Sequence, residues 1–335
     1  MTSATSSDLE AVWAASADDV FAVGDGGTII HYDGDAWSAM ESGVSETLRS
    51  VWGSSPDDVF AVGGDWPFDG RILHYDGQAW EEMAGSAPVC LLDVSGSSST
   101  DVFAVGVGAT ILHYDGTFWT VVEGGAVPDN YTDPTSDPNP YYSSVWVDSP
   151  DSILVGGYRG HLSHRHSDGT GWDDIQGGAF YSAADIWASS PTNVFSVCST
   201  YGTIMHYDGS QYEWVDVAEE THGKTCGIGG IWGTSSSDMF AVGGQSGSTV
   251  FGTVLHYDGD TWSEVVGDSA CQLNDVWGTA LGDVFVVGNS GTILHRQGTT
   301  GTTPLWGVLA IGLAFGTALT VLVVIRLRRQ APSED

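Results

Sequence analysis

The phrase His-Tyr-Asp-Gly punctuates this chain and constrains its architecture more than any other feature. It is intact at residues 31–34, 74–77, 113–116, 206–209 and 256–259, and degenerate at His164 and His295. Seven of the ten histidines therefore hold one repeat position, at intervals of 39 to 51 residues. Self-similarity at a fixed period marks an array of supersecondary units, and intervals near 40 to 50 residues suit four-stranded propeller blades.

The second repeat shows the module most fully and parses into four short strands, A to D, at residues 48–52, 59–62, 71–75 and 79–83. Branched and aromatic residues fill the strands. Between A and B lies Ser54-Ser55-Pro56-Asp57-Asp58, and between C and D lies Asp76-Gly77, both turn chemistry. The other repeats parse in the same way, which gives an all-β fold: a seven-bladed β-propeller of four-stranded antiparallel blades over residues 9–297. Strand A carries Trp13, Trp52, Trp146, Trp187, Trp232 and Trp277, with Ser95 in the third repeat; strand D carries Trp37, Trp80, Trp119, Trp172, Trp214 and Trp262. Such rings fill the wedges between blades. The repeated histidine reads as a residue satisfying a half-buried bond, because seven positions spread around a wheel cannot converge on one ion.

Segments such as VWGSSPDDVFAVGG and TVLHYDGDTW resemble the propeller repeats of large secreted and surface proteins of bacteria and archaea, over nearly all of residues 9–297. The Asp-Gly turn followed by tryptophan is also similar to a shortened Asp-box of sialidase-type blades. The resemblance implies the fold and carries no activity with it.

The chain has 43 acidic and 9 basic residues, a formal charge of −34, and Lys224 is its only lysine. That balance excludes nucleic acid as a partner, since phosphate neutralisation needs Lys and Arg, and disfavours anionic lipid. Distributed aspartate reads as a solvated surface. The long insertion at 128–140, with Asp129, Asp133, Asp137 and Asn139, has the oxygen donors calcium takes, without an EF-hand spacing; no other cofactor is indicated. The four cysteines form no CxxC pair; Cys198 at the end of one strand B and Cys226 before the next strand A are a candidate disulfide, with free buried thiols as the alternative.

Residues 305–325 hold no charge and are followed by Arg326, Arg328 and Arg329. That length and flank predict a transmembrane helix with a cytoplasmic tail at 326–335, a linker at 298–304 and an extracellular propeller. Gly312 and Gly316 form a small-xxx-small pair for a helix-mediated dimer. The last repeat shows no strand D tryptophan before the linker, and residues 1–8 hold neither an export signal nor an aromatic. The expectation is that a segment before Met1 supplies both the signal and the closing strand.

The A to B and C to D turns are nearly constant, whereas length variation falls in the loops of the other face, at 64–70, 123–140, 218–230 and 244–252. Variable loops on a rigid scaffold are where binding resides. Trp66, Phe68, Tyr158, Arg159, Tyr201 and Phe251 fall there as candidate ligand-binding residues, with capping of the central channel as the plainer role. The leading reading is a membrane-anchored extracellular module that binds a protein or glycan and is not an enzyme. A sialidase- or lyase-like enzyme using the central pocket, or a structural spacer, are the alternatives.

Overall fold

The computed structural model describes residues 3–83, 87–123, 141–157, 162–165, 172–174, 183–199, 202–216, 227–245, 251–298 and 306–309. Among them are seven four-stranded antiparallel sheets, each ordered A-B-C-D along the chain. Blade one is β1–β4 (Leu9–Ser16, Asp19–Gly24, Thr28–Tyr32, Trp37–Met40) and blade two is β5–β8 (Leu48–Ser55, Asp58–Gly64, Gly70–Tyr75, Trp80–Glu82). Blade three is β9–β12 (Leu91–Ser98, Asp101–Gly106, Thr110–Tyr114, Trp119–Glu123) and blade four is β13–β16 (Tyr142–Ser149, Ser152–Gly157, Leu162–Arg165, Trp172–Asp174). Blade five is β17–β20 (Ala183–Ser190, Asn193–Cys198, Thr203–Tyr207, Tyr212–Asp216) and blade six is β21–β24 (Gly227–Ser235, Asp238–Gln245, Phe251–Tyr257, Trp262–Ser269). Blade seven is β25–β28 (Leu273–Gly278, Val284–Gly288, Thr292–Arg296, Trp306–Leu309).

The A strands pack side by side in a closed ring, with β25 returning to β1. At that return Leu9 and Val12 share a core with Phe285, Val287 and Ile293, and Asn274 Nδ2 donates to the Leu9 carbonyl at 2.8 Å. Strand B is buried along its length; Phe21, Phe60, Phe103, Phe240 and Phe285 are among the largest fully buried side chains. Between blades, the D-strand tryptophan of one packs edge-on against the B-strand phenylalanine of the one before, Trp80 on Phe21 and Trp119 on Phe60, each at 6.0 Å between centroids.

The A to B turn is tighter than the sequence suggests. In blade two the strands run to Ser55 and Asp58, leaving Pro56 and Asp57 outside them, with a register shift between Gly53 and Ser55. The glycine after the A-strand tryptophan, or after Ser95 in blade three, is fixed by packing: a Cβ on Gly53 would lie 2.7 Å from the Trp13 ring, and Gly96 and Gly278 meet Trp52 and Trp232 in the same way. In blade five Tyr212 sits opposite Tyr207, in the register that tryptophan takes in blades one to three, and Trp214 lies two residues further on.

The predicted transmembrane helix is corrected at its first residues. Trp306–Leu309 is a strand, not a helical turn, and pairs with β27 through Arg296↔Trp306, His295↔Gly307, Leu294↔Val308 and Ile293↔Leu309. Tyr32↔Trp37 and Tyr75↔Trp80 open the outer pairing of blades one and two in the same register. The physical reason is that an unpaired edge of β27 is satisfied by residues whose branched and aromatic character suits a strand as well as an apolar helix. The closing strand is thus supplied by residues after the linker, not by a segment before Met1. Among the described residues no helix is long and apolar enough to cross a membrane. The single-pass anchor and the cell-membrane placement built on it are withdrawn; Gly312, Gly316 and the tail at 326–335 lie outside the described residues.

Candidate functional site

Three regions carry polar chemistry, and they differ in how fully that chemistry is already used. On the constant face, the six repeat histidines whose side chains are described are committed to the scaffold. Their Nε2 atoms donate to an aspartate at the start of strand B: His31 to Asp19 at 2.9 Å, His74 to Asp58 at 2.7 Å, His113 to Asp101 at 2.9 Å, His256 to Asp238 at 2.7 Å and, just before the strand in blade seven, His295 to Asp283 at 3.0 Å. In blade five Asn193 replaces the aspartate, 2.7 Å from His206. The same imidazole lies against the B-strand phenylalanine, with centroids 4.2 to 4.6 Å apart in six blades. Ser54, Ser97 and Thr234 donate to the second oxygen of the aspartate. A serine, a histidine and an aspartate therefore meet in blades two and three, with threonine for serine in blade six, but the aspartate lies between the other two, so no base faces a nucleophile there. Beyond the histidine, the turn aspartate accepts two backbone amides, as Asp76 does from Gln78 and Ala79 at 2.9 and 3.0 Å, which holds its carboxyl below the usual range.

The channel between the A strands encloses about 180 Å³ and is lined by Trp52, Trp146, Trp187, Trp232 and Trp277 with Asp93, Asp185 and Asp275. These aspartates sit two residues before Ser95, Trp187 and Trp277, where the other blades place Ala11, Ser50, Ser144 and Gly230. Each bridges blades. Asp93 accepts from Ser50 Oγ of blade two at 2.6 Å and from the Val145 amide of blade four at 2.7 Å. Asp185 accepts from Ser144 Oγ at 3.0 Å and the Ile231 amide at 2.8 Å, and Asp275 accepts from the Val12 amide at 2.9 Å. Burial pushes the Asp93 carboxyl up to about 6. Burial, then the nearby Asp93 charge, pushes Asp185 up to about 7, and burial raises Asp275 well above its ordinary value. Sequence reasoning missed all three; the available signal was an acidic residue at an inward strand position, in phase with tryptophan.

The variable face differs in pairing two exposed rings on one loop, whereas the exposed apolar residues of the constant face, Phe118 and Leu281, stand on separate turns. The loop joining β6 to β7 presents Trp66 and Phe68, 36% and 49% exposed. It is braced from below: the Cys90 amide donates to the Pro67 carbonyl at 3.0 Å, the Gly70 amide to Ala87 at 3.1 Å, and Phe68 forms an isolated antiparallel bridge with Val89. The Trp66–Pro67 bond is cis and Asp69 has φ of 54°. Trp66 reaches past blade three to meet Tyr141 edge-on at 5.8 Å. The blade-two loop is therefore a fixed aromatic ridge.

Fold comparisons agree with this architecture. YCF48 from Cyanidioschyzon merolae superposes with a TM-score of 0.64 at 16% identity, covering 87% of this chain and 96% of that one. A structure of YCF48 bound to D1 peptide gives 0.65 at 15%, covering 89% and 96%. The WD40 β-propeller domain of Doa1 gives 0.63 at 13%, covering 88% and 95%. The chain has the β-propeller fold. No protein-family model and no curated protein sequence matches it.

Of the predicted ligand residues, the structure presents Trp66 and Phe68 together. Phe251 opens β23 and is buried at 7% exposure, in a core with Ile228 and Leu255, so it is not offered at the surface. Tyr158, Arg159 and Tyr201 lie outside the described residues, as does the candidate calcium loop at 128–140. Cys198 is a free, buried thiol, pushed by burial up to about 11, and Cys226 lies outside the described residues. Arg71 is held by Glu46, with Nε to Oε1 at 3.0 Å, and by Glu82 at 3.5 Å. Arg71 in turn depresses the Glu46 carboxyl to about 2.

Proposed function

We propose that this propeller is a protein-binding module without enzymatic activity, and that it engages a peptide segment of its partner across the variable-loop face. The observation that carries this reading is the braced pair Trp66 and Phe68, half-exposed rings on a loop whose backbone is tied to the next blade. Exposed aromatics on a preorganised loop bury area at small entropic cost, which is how binding hot spots work. The YCF48 complex with D1 peptide supports it by showing a propeller of this shape taking a peptide. Kinship with bacterial or archaeal surface repeats fits the same role.

The test is selection of a displayed random-peptide library on the full-length chain, with a glycan array as the parallel arm. Selected peptides should bind the W66A/F68A variant at least about tenfold more weakly, a loss of about 1.4 kcal/mol, with its thermal midpoint unchanged. Peptides that bind this variant as tightly as the parent, or saturable binding of glycans alone, would refute the reading.

A further inference from the structure

Asp93, Asp185 and Asp275 converge on the channel from alternate blades. Their bonds cross five of the seven seams: two to three and three to four through Asp93, four to five and five to six through Asp185, and seven to one through Asp275. A ring of seven cannot alternate perfectly. Gly230 stands where Ser50 and Ser144 serve the other two, and Asp275 Oδ1 accepts only from its own neighbour, the Val276 amide at 2.7 Å. The ring thus depends on three carboxyl groups sharing one enclosed space.

We propose that these three aspartates are a proton-operated closure of the blade ring, tight while they are un-ionised and loosened when they ionise together. An un-ionised carboxyl keeps one oxygen free of its proton, so the bond from the next blade's amide survives. For Asp93 and Asp185 the proton is taken up by a serine hydroxyl, which accepts as readily as it donates. Ionisation instead brings like charges together in a narrow channel between the A strands. The other groups facing this space do not relieve it evenly. Glu10 on β1 adds to the negative charge, Arg49 on β5 is the sole cation there among the described residues, β13 and β21 present Ser143 and Gly229, and Asn274 on β25 is neutral.

The direction with pH follows from where the protons are held. The ordinary value is 3.8, and Asp93 and Asp185 are raised to about 6 and about 7. Their contribution to stability is full below 3.8 and is lost as pH rises through those folded values.

Infrared spectroscopy and thermal unfolding of the full-length protein, at about pH 5.5 and about pH 8.5, test this. The carbonyl band of un-ionised carboxyl groups should be present at the lower pH and weaker at the higher, as Asp93 and Asp185 ionise, while the midpoint falls by at least about 3 °C. D93N/D185N/D275N keeps the amide acceptors and cannot ionise, so it should lack the band and at least halve the fall. D275N alone should lessen the fall and stands in if the triple variant does not fold. Absence of the band in the parent at about pH 5.5, or an undiminished fall in D275N, would overturn the proposal.

Discussion

A histidine held between a phenylalanine ring and a carboxylate has two partners to lose. His74 stacks on Phe60 at 4.6 Å and donates to Asp58 at 2.7 Å. H74A should lower unfolding stability by about 1–3 kcal/mol, seen as a lower denaturant midpoint with an unchanged slope. At the adjoining turn Gly77 has φ of 85°, so G77A should cost about 1–2 kcal/mol in the same titration. The histidine's structural role was legible because its position repeats. Its partner was not: Asp58 reads as one of two turn aspartates, and only the register shift before Ser55 decides that Asp58 rather than Asp57 faces the ring. The channel aspartates were harder still, because acidic residues dominate this composition and single positions do not stand out among them.

Strands and turns were legible at the scale of the element, since turn chemistry brackets each branched, aromatic run. The wedge between blades gives the clearest energetic test. Trp80 is 7% exposed and packs on Tyr75 and on Phe21 of blade one; W80A should cost about 3–5 kcal/mol in equilibrium unfolding. Where two periodicities overlap, sequence reading failed. Residues 306–309 continue into an apolar stretch long enough to suggest a membrane helix, and nothing local announces that β27, which ends at Arg296, has an unpaired edge. The blade requirement is non-local, and it prevails over the local pattern. For the face loops, length variation singled out one side of the wheel, but it could not say that Phe251 begins a buried strand while Trp66 and Phe68 stay in solvent.

At the scale of the whole molecule, two sets of carboxylates oppose each other in pH. The channel aspartates favour the fold most when protonated and withdraw that support as pH climbs through about 6 to 7. Glu46, lowered to about 2 by Arg71, and the turn aspartates, lowered by backbone amides, add stability above their ordinary values and lose it as pH falls through the folded ones. The thermal midpoint should therefore peak between about pH 4.5 and 6 and decline on both sides. Division of labour is the other property of the whole: one face is spent on repeated turns, with Phe118 exposed singly at one of them, and the opposite face carries the paired rings Trp66 and Phe68. Amide hydrogen exchange of the full-length chain, with and without a library-selected peptide, tests that division directly. Protection should appear at residues 64–70 and 87–91 and be absent at the turns 33–36, 76–79 and 115–118; protection confined to those turns would contradict the account.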